Sequence, residues 1–77
     1  MNIDDIKEKL REWIAEKGQR EANSIKDESN LIKEGIISSL DSLELIMFIE
    51  SIGGKIGKIR AGVFENINTI YTTFFHE

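Results

Sequence analysis

An all-α fold is predicted for this chain: a small bundle of three main helices plus one short helix, with a long loop between helices 1 and 2. Three observations carry that prediction. Apolar residues recur at three- and four-residue spacing in separate stretches. Glycines and helix-capping residues punctuate those stretches where helices should start and stop. The chain has 77 residues, no Cys and no Pro, so no disulfide or thiolate metal site can staple it. A single core in a chain below roughly 70 to 80 residues supplies only about 3 to 5 kcal/mol, and economical helix packing has to provide it. Residues 1–77 read as one domain.

The first helix is expected over residues 3 to 17, because Ile3, Ile6, Leu10, Trp13 and Ile14 fall on one stripe. Asn2 is placed to cap it, with Asp5 as a capping-box-like partner and Asp4 and Asp5 at the positive helix end. Lys17 and Gly18 form the stop signal. Residues 18 to 38 read as a long loop. Its length exceeds the usual connection of about 4 to 6 residues, which marks it as functional, and Ile25, Leu31 and Ile32 are expected to pin it across the core.

A second helix is expected to begin at Ser38-Ser39, with Asp41 three residues after Ser38, and to end at the paired glycines Gly53-Gly54. At about 100° per residue, Leu43, Leu45, Ile46, Ile49 and Ile52 share one arc. The opposite arc carries Leu40, Asp41, Glu44, Met47, Phe48 and Ser51, an unusual mixture for a solvated face. Such an arc either packs under the loop or meets a partner. After Gly57, the stretch KIRAGVFENI has room for one or two turns and supplies the short helix. Asn68 is then expected to cap a last helix, TIYTTFFHE, with Ile67 stapling its start and Ile70 and Phe74 four apart.

Composition excludes most chemistry. A dinucleotide-binding sheet needs several βαβ units of about 30 residues each. The net charge of -4 argues against a nucleic-acid backbone as partner. No apolar run approaches the roughly 18 residues of a membrane span, and the charge-alternating N-terminus is unlike a signal peptide. The chain therefore reads as a soluble, cytoplasmic monomer, and not as an enzyme. His76 is the single His, beside the C-terminus, so a triad lacks a placed base and a zinc site lacks ligands. Asp27-Glu28 with Glu34, or Asp41 with Glu44, lack EF-hand spacing and read as solvated acids. Gly54-Lys55 and Gly57-Lys58 are not phosphate loops, because Ile follows each lysine where Ser or Thr is required. Lys55, Lys58 and Arg60 form a basic cluster just past a helix C-terminus, read first as a solvated turn.

What remains is a serine at a helix start, behind a long loop and ahead of an acidic, partly apolar helix. A phosphate ester there would be stabilised by backbone N–H groups and the positive helix end. The segment LIKEGIISSLDSLELIMFIE resembles the prosthetic-group segment of acyl carrier proteins and their peptidyl and D-alanyl relatives. That family carries Asp-Ser-Leu, a Glu five residues after the serine, then Leu and an aliphatic run. Ser39-Leu40, Leu43, Glu44-Leu45-Ile46-Met47 and Glu50 follow this order, and ENINTIYTTFF resembles the family's last helical junction through Ile67, Ile70 and Phe74. The departure is Ser38, where the family has Asp. The literal triplet Asp41-Ser42-Leu43 offers a competing register, but it puts Met47 where the acid belongs and Gly35-Ile36-Ile37 three residues too far upstream. Ser39 is the first choice of attachment point, Ser42 the second and Ser38 the third.

The resemblance implies an acyl-carrier-like bundle in which Ser39 bears 4'-phosphopantetheine, taken from coenzyme A by a phosphopantetheinyl transferase. Acyl groups would ride as thioesters on the arm's thiol and be presented to acyl-loading and acyl-processing enzymes of fatty-acid, polyketide or other specialised acyl metabolism. The reactive sulfur then belongs to the cofactor, which suits a chain without Cys. Leu40, Asp41, Glu44, Met47 and Phe48 would form the docking face, and Leu45, Ile46, Ile49 and Ile67 would line an acyl pocket. The Glu-Gly-Ile-Ile lead-in and Ser51 look more like specialised stand-alone carriers than the housekeeping fatty-acid type. The alternatives are a peptidyl or D-alanyl carrier, and a non-modified helical adaptor using the same helix face.

Overall fold

Every regular element of the computed structural model, which describes residues 2–60 and 62–75, is helical. Helix α1 spans Ile3–Gly18, a short 3-10 turn Ala22–Ser24, helix α2 Asp41–Ser51 and helix α3 Ile67–Phe74. Helix α1 lies against both the 3-10 turn and α3. The core unites Leu10 and Ile14 of α1, Leu45 and Ile49 of α2, and Ile67, Ile70 and Phe74 of α3. Its perimeter is less regular than the stripe implied, since Ile6, Leu10, Ile14 and Ala15 are buried, Trp13 is partly buried and Ile3 is exposed.

The caps explain where α1 begins and ends. Asn2 Oδ1 accepts the Asp5 amide at 2.9 Å, as the spacing predicted. At the far end the left-handed residue is Gln19 (φ 55°), not Gly18. The amides of Gln19 and Arg20 close back onto the carbonyls of Glu16 and Ala15, a Schellman arrangement. Gly18 is needed for a different reason: a Cβ on it would stand 2.3 Å from the carbonyl oxygen of Ile36. The end of α1 is thus pressed against the backbone just before the serine pair. Helix α2 stops as expected, with Gly53 at φ 99° and the Gly54 amide on the Ile49 carbonyl at 2.8 Å.

Three expectations about the connections are corrected. The short helix is not in KIRAGVFENI, where the described residues form a turn at 62–64 with Val63 and Phe64 buried; it is the 3-10 turn inside the long loop. The loop is pinned by Ile25, Leu31, Ile36 and Ile37, whereas Ile32 points outward. The cap of α3 is Asn66, whose Oδ1 accepts the Thr69 amide at 2.7 Å. Asn68 lies inside the helix, its amide donating to the Asp27 carbonyl at 3.1 Å and its Oδ1 accepting from Lys7 Nζ at 2.8 Å. Ile67 is accordingly the first helical residue and is fully buried.

These bonds stitch the loop to two helices. Arg11 Nε donates to the Ile25 carbonyl at 2.9 Å, and its guanidinium pairs with Asp27 and with Glu8. Lys7 reaches Asp27 as well, at 3.6 Å. The Leu31 amide donates to the Glu65 carbonyl at 2.8 Å, tying the loop to the segment before α3.

Candidate functional site

The stitched loop delivers residues 38–42 to the surface as a tight serine turn. Ser38 and Asp41 make the predicted reciprocal box: the Ser38 amide donates to Asp41 Oδ2 at 2.8 Å, and the Asp41 amide donates to Ser38 Oγ at 3.3 Å. The Asp41, Ser42 and Leu43 amides also donate to the carbonyls of Ser38, Ser39 and Leu40, so the helix starts with a tightened turn ahead of Asp41. The amides of Ser39 and Leu40 are the two in this turn with no protein acceptor among the described residues. Fewer N–H groups face an incoming anion than an uncapped helix end would supply.

The same bonds separate the three serines. Ser38 Oγ is engaged by the Asp41 amide, and Ser42 Oγ donates to the Ser39 carbonyl at 2.5 Å. The Ser39 hydroxyl has no protein hydrogen-bond partner among the described residues, and its residue is exposed. Ser38 also fills the position where an Asp would cap the helix, and Ser serves as a cap about as well.

Below the serine turn, α2 presents an apolar ridge. Leu40 is 77% exposed, Leu43 63% and Met47 71%, at spacings of three and four residues. Leu43 therefore belongs to the outer face and not to the inner arc proposed from the helical wheel. Phe48 moves the other way: it is partly buried, its ring stacked on Trp13 with centroids 5.7 Å apart. Glu44 is paired with Lys17, which also stands 5.7 Å over the Trp13 ring. The hydrogen bond to Glu44 holds the Lys17 ammonium above its ordinary value of 10.5; desolvation opposes it, and the charges of Glu44, Asp41 and Glu16 add to it. A cation from α1 thus enters an acidic face that the α2 sequence alone leaves uncompensated.

Of the residues considered for an acyl pocket, Leu45, Ile49 and Ile67 are fully buried in the core and Ile46 packs at its edge. Two surface spaces open beside Ser39: one of about 590 Å³ faces the end of α1, between Lys17, Gly18 and Asp41, and the other is a groove of about 540 Å³. Ser39 and Ser42 form part of its wall, with Ile32 and Lys33 from the long loop and Ile59, Arg60 and Phe64 from the α2–α3 connection. Sequence reasoning missed this groove, because residues 32 and 59 look like core on hydropathy alone.

Four of the acids weighed as cation ligands are otherwise engaged: Asp27 by Arg11 and Lys7, Glu34 by the Asn30 amide, Asp41 by the Ser38 amide and Glu44 by Lys17. No group of three or more His, Asp or Glu positioned for a metal occurs among the described residues. His76 lies outside the described residues. No helix among the described residues is long and apolar enough to cross a membrane. Comparison with models of protein families, with curated proteins and with solved structures gave no match.

Proposed function

We propose that this chain is a carrier of the acyl carrier type, bearing 4'-phosphopantetheine on Ser39 and holding acyl thioesters for separate cytoplasmic enzymes of specialised acyl metabolism. The observation that carries the reading is the serine turn. Of three adjacent candidates, Ser38 and Ser42 spend their hydroxyls on the turn itself, and Ser39 alone offers an exposed hydroxyl without a protein partner. The groove beside it gives an arm somewhere to lie.

Attachment requires that Ser39 Oγ form a bond to the β-phosphorus of coenzyme A. The pyrophosphate bond breaks, adenosine 3',5'-bisphosphate leaves, and the hydroxyl proton passes to a base on the transferase. This chain contributes the exposed nucleophile and a docking helix beside it. Leu40, Leu43 and Met47 supply apolar contact, and Asp41, Glu44 and Glu50 supply charge for a basic partner, which suits fast and reversible association. Phe48 supports that face from behind through Trp13. When bound, the arm supplies the thiol that the chain lacks.

The test is mass spectrometry after incubation with coenzyme A and a broad-specificity phosphopantetheinyl transferase. One phosphopantetheine mass is expected on the wild type and on Ser42→Ala, and none on Ser39→Ala. Modification that survives Ser39→Ala sinks the assignment. A chain never modified would instead fit the adaptor reading, since the exposed ridge of Leu40, Leu43 and Met47 can also seat a partner helix.

A further inference from the structure

Two large apolar side chains that the core does not use, Ile32 and Ile59, are 41% and 45% exposed, and both line the groove beside Ser39. They come from segments 27 residues apart, which the stitching of the loop to the α2–α3 connection brings together. Each is followed by a cation, Lys33 and Arg60, and both cations line the same groove. Lys7, Arg11 and Lys17 are committed to carboxylates, but neither Lys33 nor Arg60 enters an ion pair among the described residues. Glu65 also lines the groove, facing the Asn30 side-chain amide at 3.5 Å, so the lining carries two positive charges against one negative. In a chain of net charge -4 this is a local reversal of sign. An apolar cleft with a cationic rim is complementary to a small amphiphile that is anionic at one end and branched-aliphatic next to it.

We propose that this groove is the seat of the proximal half of the arm, with Lys33 and Arg60 holding its phosphate and Ile32, Ile59 and Phe64 contacting the branched carbons beside it. The inference rests on the carrier reading for its occupant, but the groove can be tested without any attachment. The seat orders the first part of the arm next to the α2 ridge, so that a docking enzyme meets a directed thiol and not a freely sweeping one. It also gives the basic residue Arg60 a role beyond a solvated turn.

The experiment follows the methyl resonances of Ile32 and Ile59 and the ring of Phe64 by NMR, in the unmodified chain titrated with free 4'-phosphopantetheine and in the chain modified on Ser39. All three signals should move in both cases, with saturation of the free compound at millimolar concentration. Lys33→Glu with Arg60→Glu should weaken the free compound about fivefold or more, as two exposed charge contacts warrant. Lys33→Arg with Arg60→Lys, which keeps both charges, should retain the shifts, and an unchanged helical circular dichroism signal shows that each variant is folded. Modification of Ser39 without any shift at these residues would overturn the seat and leave the carrier reading standing. Shifts that survive the charge reversal would overturn the cationic half of it. Shifts with the free compound in a chain that no transferase modifies would uphold the groove and bring down the attachment.

Discussion

The long loop and the turn that leads it into α2 form two halves held by different physics. Residues 25 to 31 are stitched across the molecule: Ile25 and Leu31 are buried, Arg11 spans from α1 to the Ile25 carbonyl and Asp27, and Leu31 and Asp27 are bonded to the approach and first turn of α3. Residues 38 to 42 are held by one another, through the Ser38–Asp41 box and the Ser42–Ser39 bond. The stitched half fixes where the serine turn stands, and the turn fixes which hydroxyl it leaves free. Local closure is what allows a largely exposed segment to keep one geometry without burying the group it displays.

That contrast sets the order of expected effects. Leu31→Ala should be the most damaging, at about 2 to 5 kcal/mol, because it empties a fully buried site on which Ile36 and Ile37 also fold back. Chemical denaturation measures this, and a loss below about 1 kcal/mol would mean the loop is not anchored there. Gly18→Ala comes next. In an ordinary helix the change gains up to about 1 kcal/mol, but here the new Cβ meets the Ile36 carbonyl at 2.3 Å, and a loss of about 1 to 3 kcal/mol is expected. A stabilised Gly18→Ala variant would show that α1 does not press on the lead-in to the serine pair.

Within the turn, the prediction separates neighbours. Ser38→Ala removes the hydroxyl that shares the Asp41 amide with the Ser38 carbonyl and should cost about 1 kcal/mol of stability while leaving Ser39 modifiable. Ser39→Ala should change stability by no more than about 0.5 kcal/mol and abolish modification. Thermal denaturation and mass spectrometry on the same two variants give the comparison, and equal stability losses would break it.

How much of this is legible from residues alone follows the same division. The caps that depend on local spacing, Asn2 with Asp5, Ser38 with Asp41 and Gly53 with Gly54, are where the spacing puts them. Asn66 and Asn68 are two residues apart with equal capping propensity. What decides between them is tertiary: Ile67 enters the core, and the Asn68 amide finds the Asp27 carbonyl. Gln19 likewise takes the left-handed position that Gly18 seemed made for, because Gly18 is spent on the approach to Ile36. Ile32 and Ile36 have the same hydropathy, so only the path of the loop tells which is buried. The serine turn could be read in outline, whereas the engagement of the Ser42 hydroxyl by the Ser39 carbonyl, which adds to the case for Ser39, arises only in the folded turn.

The smallest effect belongs to a contact outside both halves, where Lys17 of α1 meets Glu44 of α2 just after the serine turn. Because the hydrogen bond to Glu44 raises the folded-state pKa of Lys17 above 10.5, its contribution is fully present below that value and is lost as pH rises through the folded-state value. Neutral and mildly acidic pH should leave the pair intact. Thermal unfolding in wild type should therefore show a slight extra loss above pH 10.5 that Glu44→Gln removes and salt diminishes. The pair would have a second consequence under the proposed docking: a basic partner would compete with Lys17 for the Glu44 carboxylate. Lys17→Ala should then strengthen association with a basic partner such as the transferase, and Glu44→Lys should weaken it and flatten its salt dependence. If both variants bind as the wild type does, docking takes place away from the lower end of α1, and the apolar ridge of Leu40, Leu43 and Met47 acts without help from Glu44.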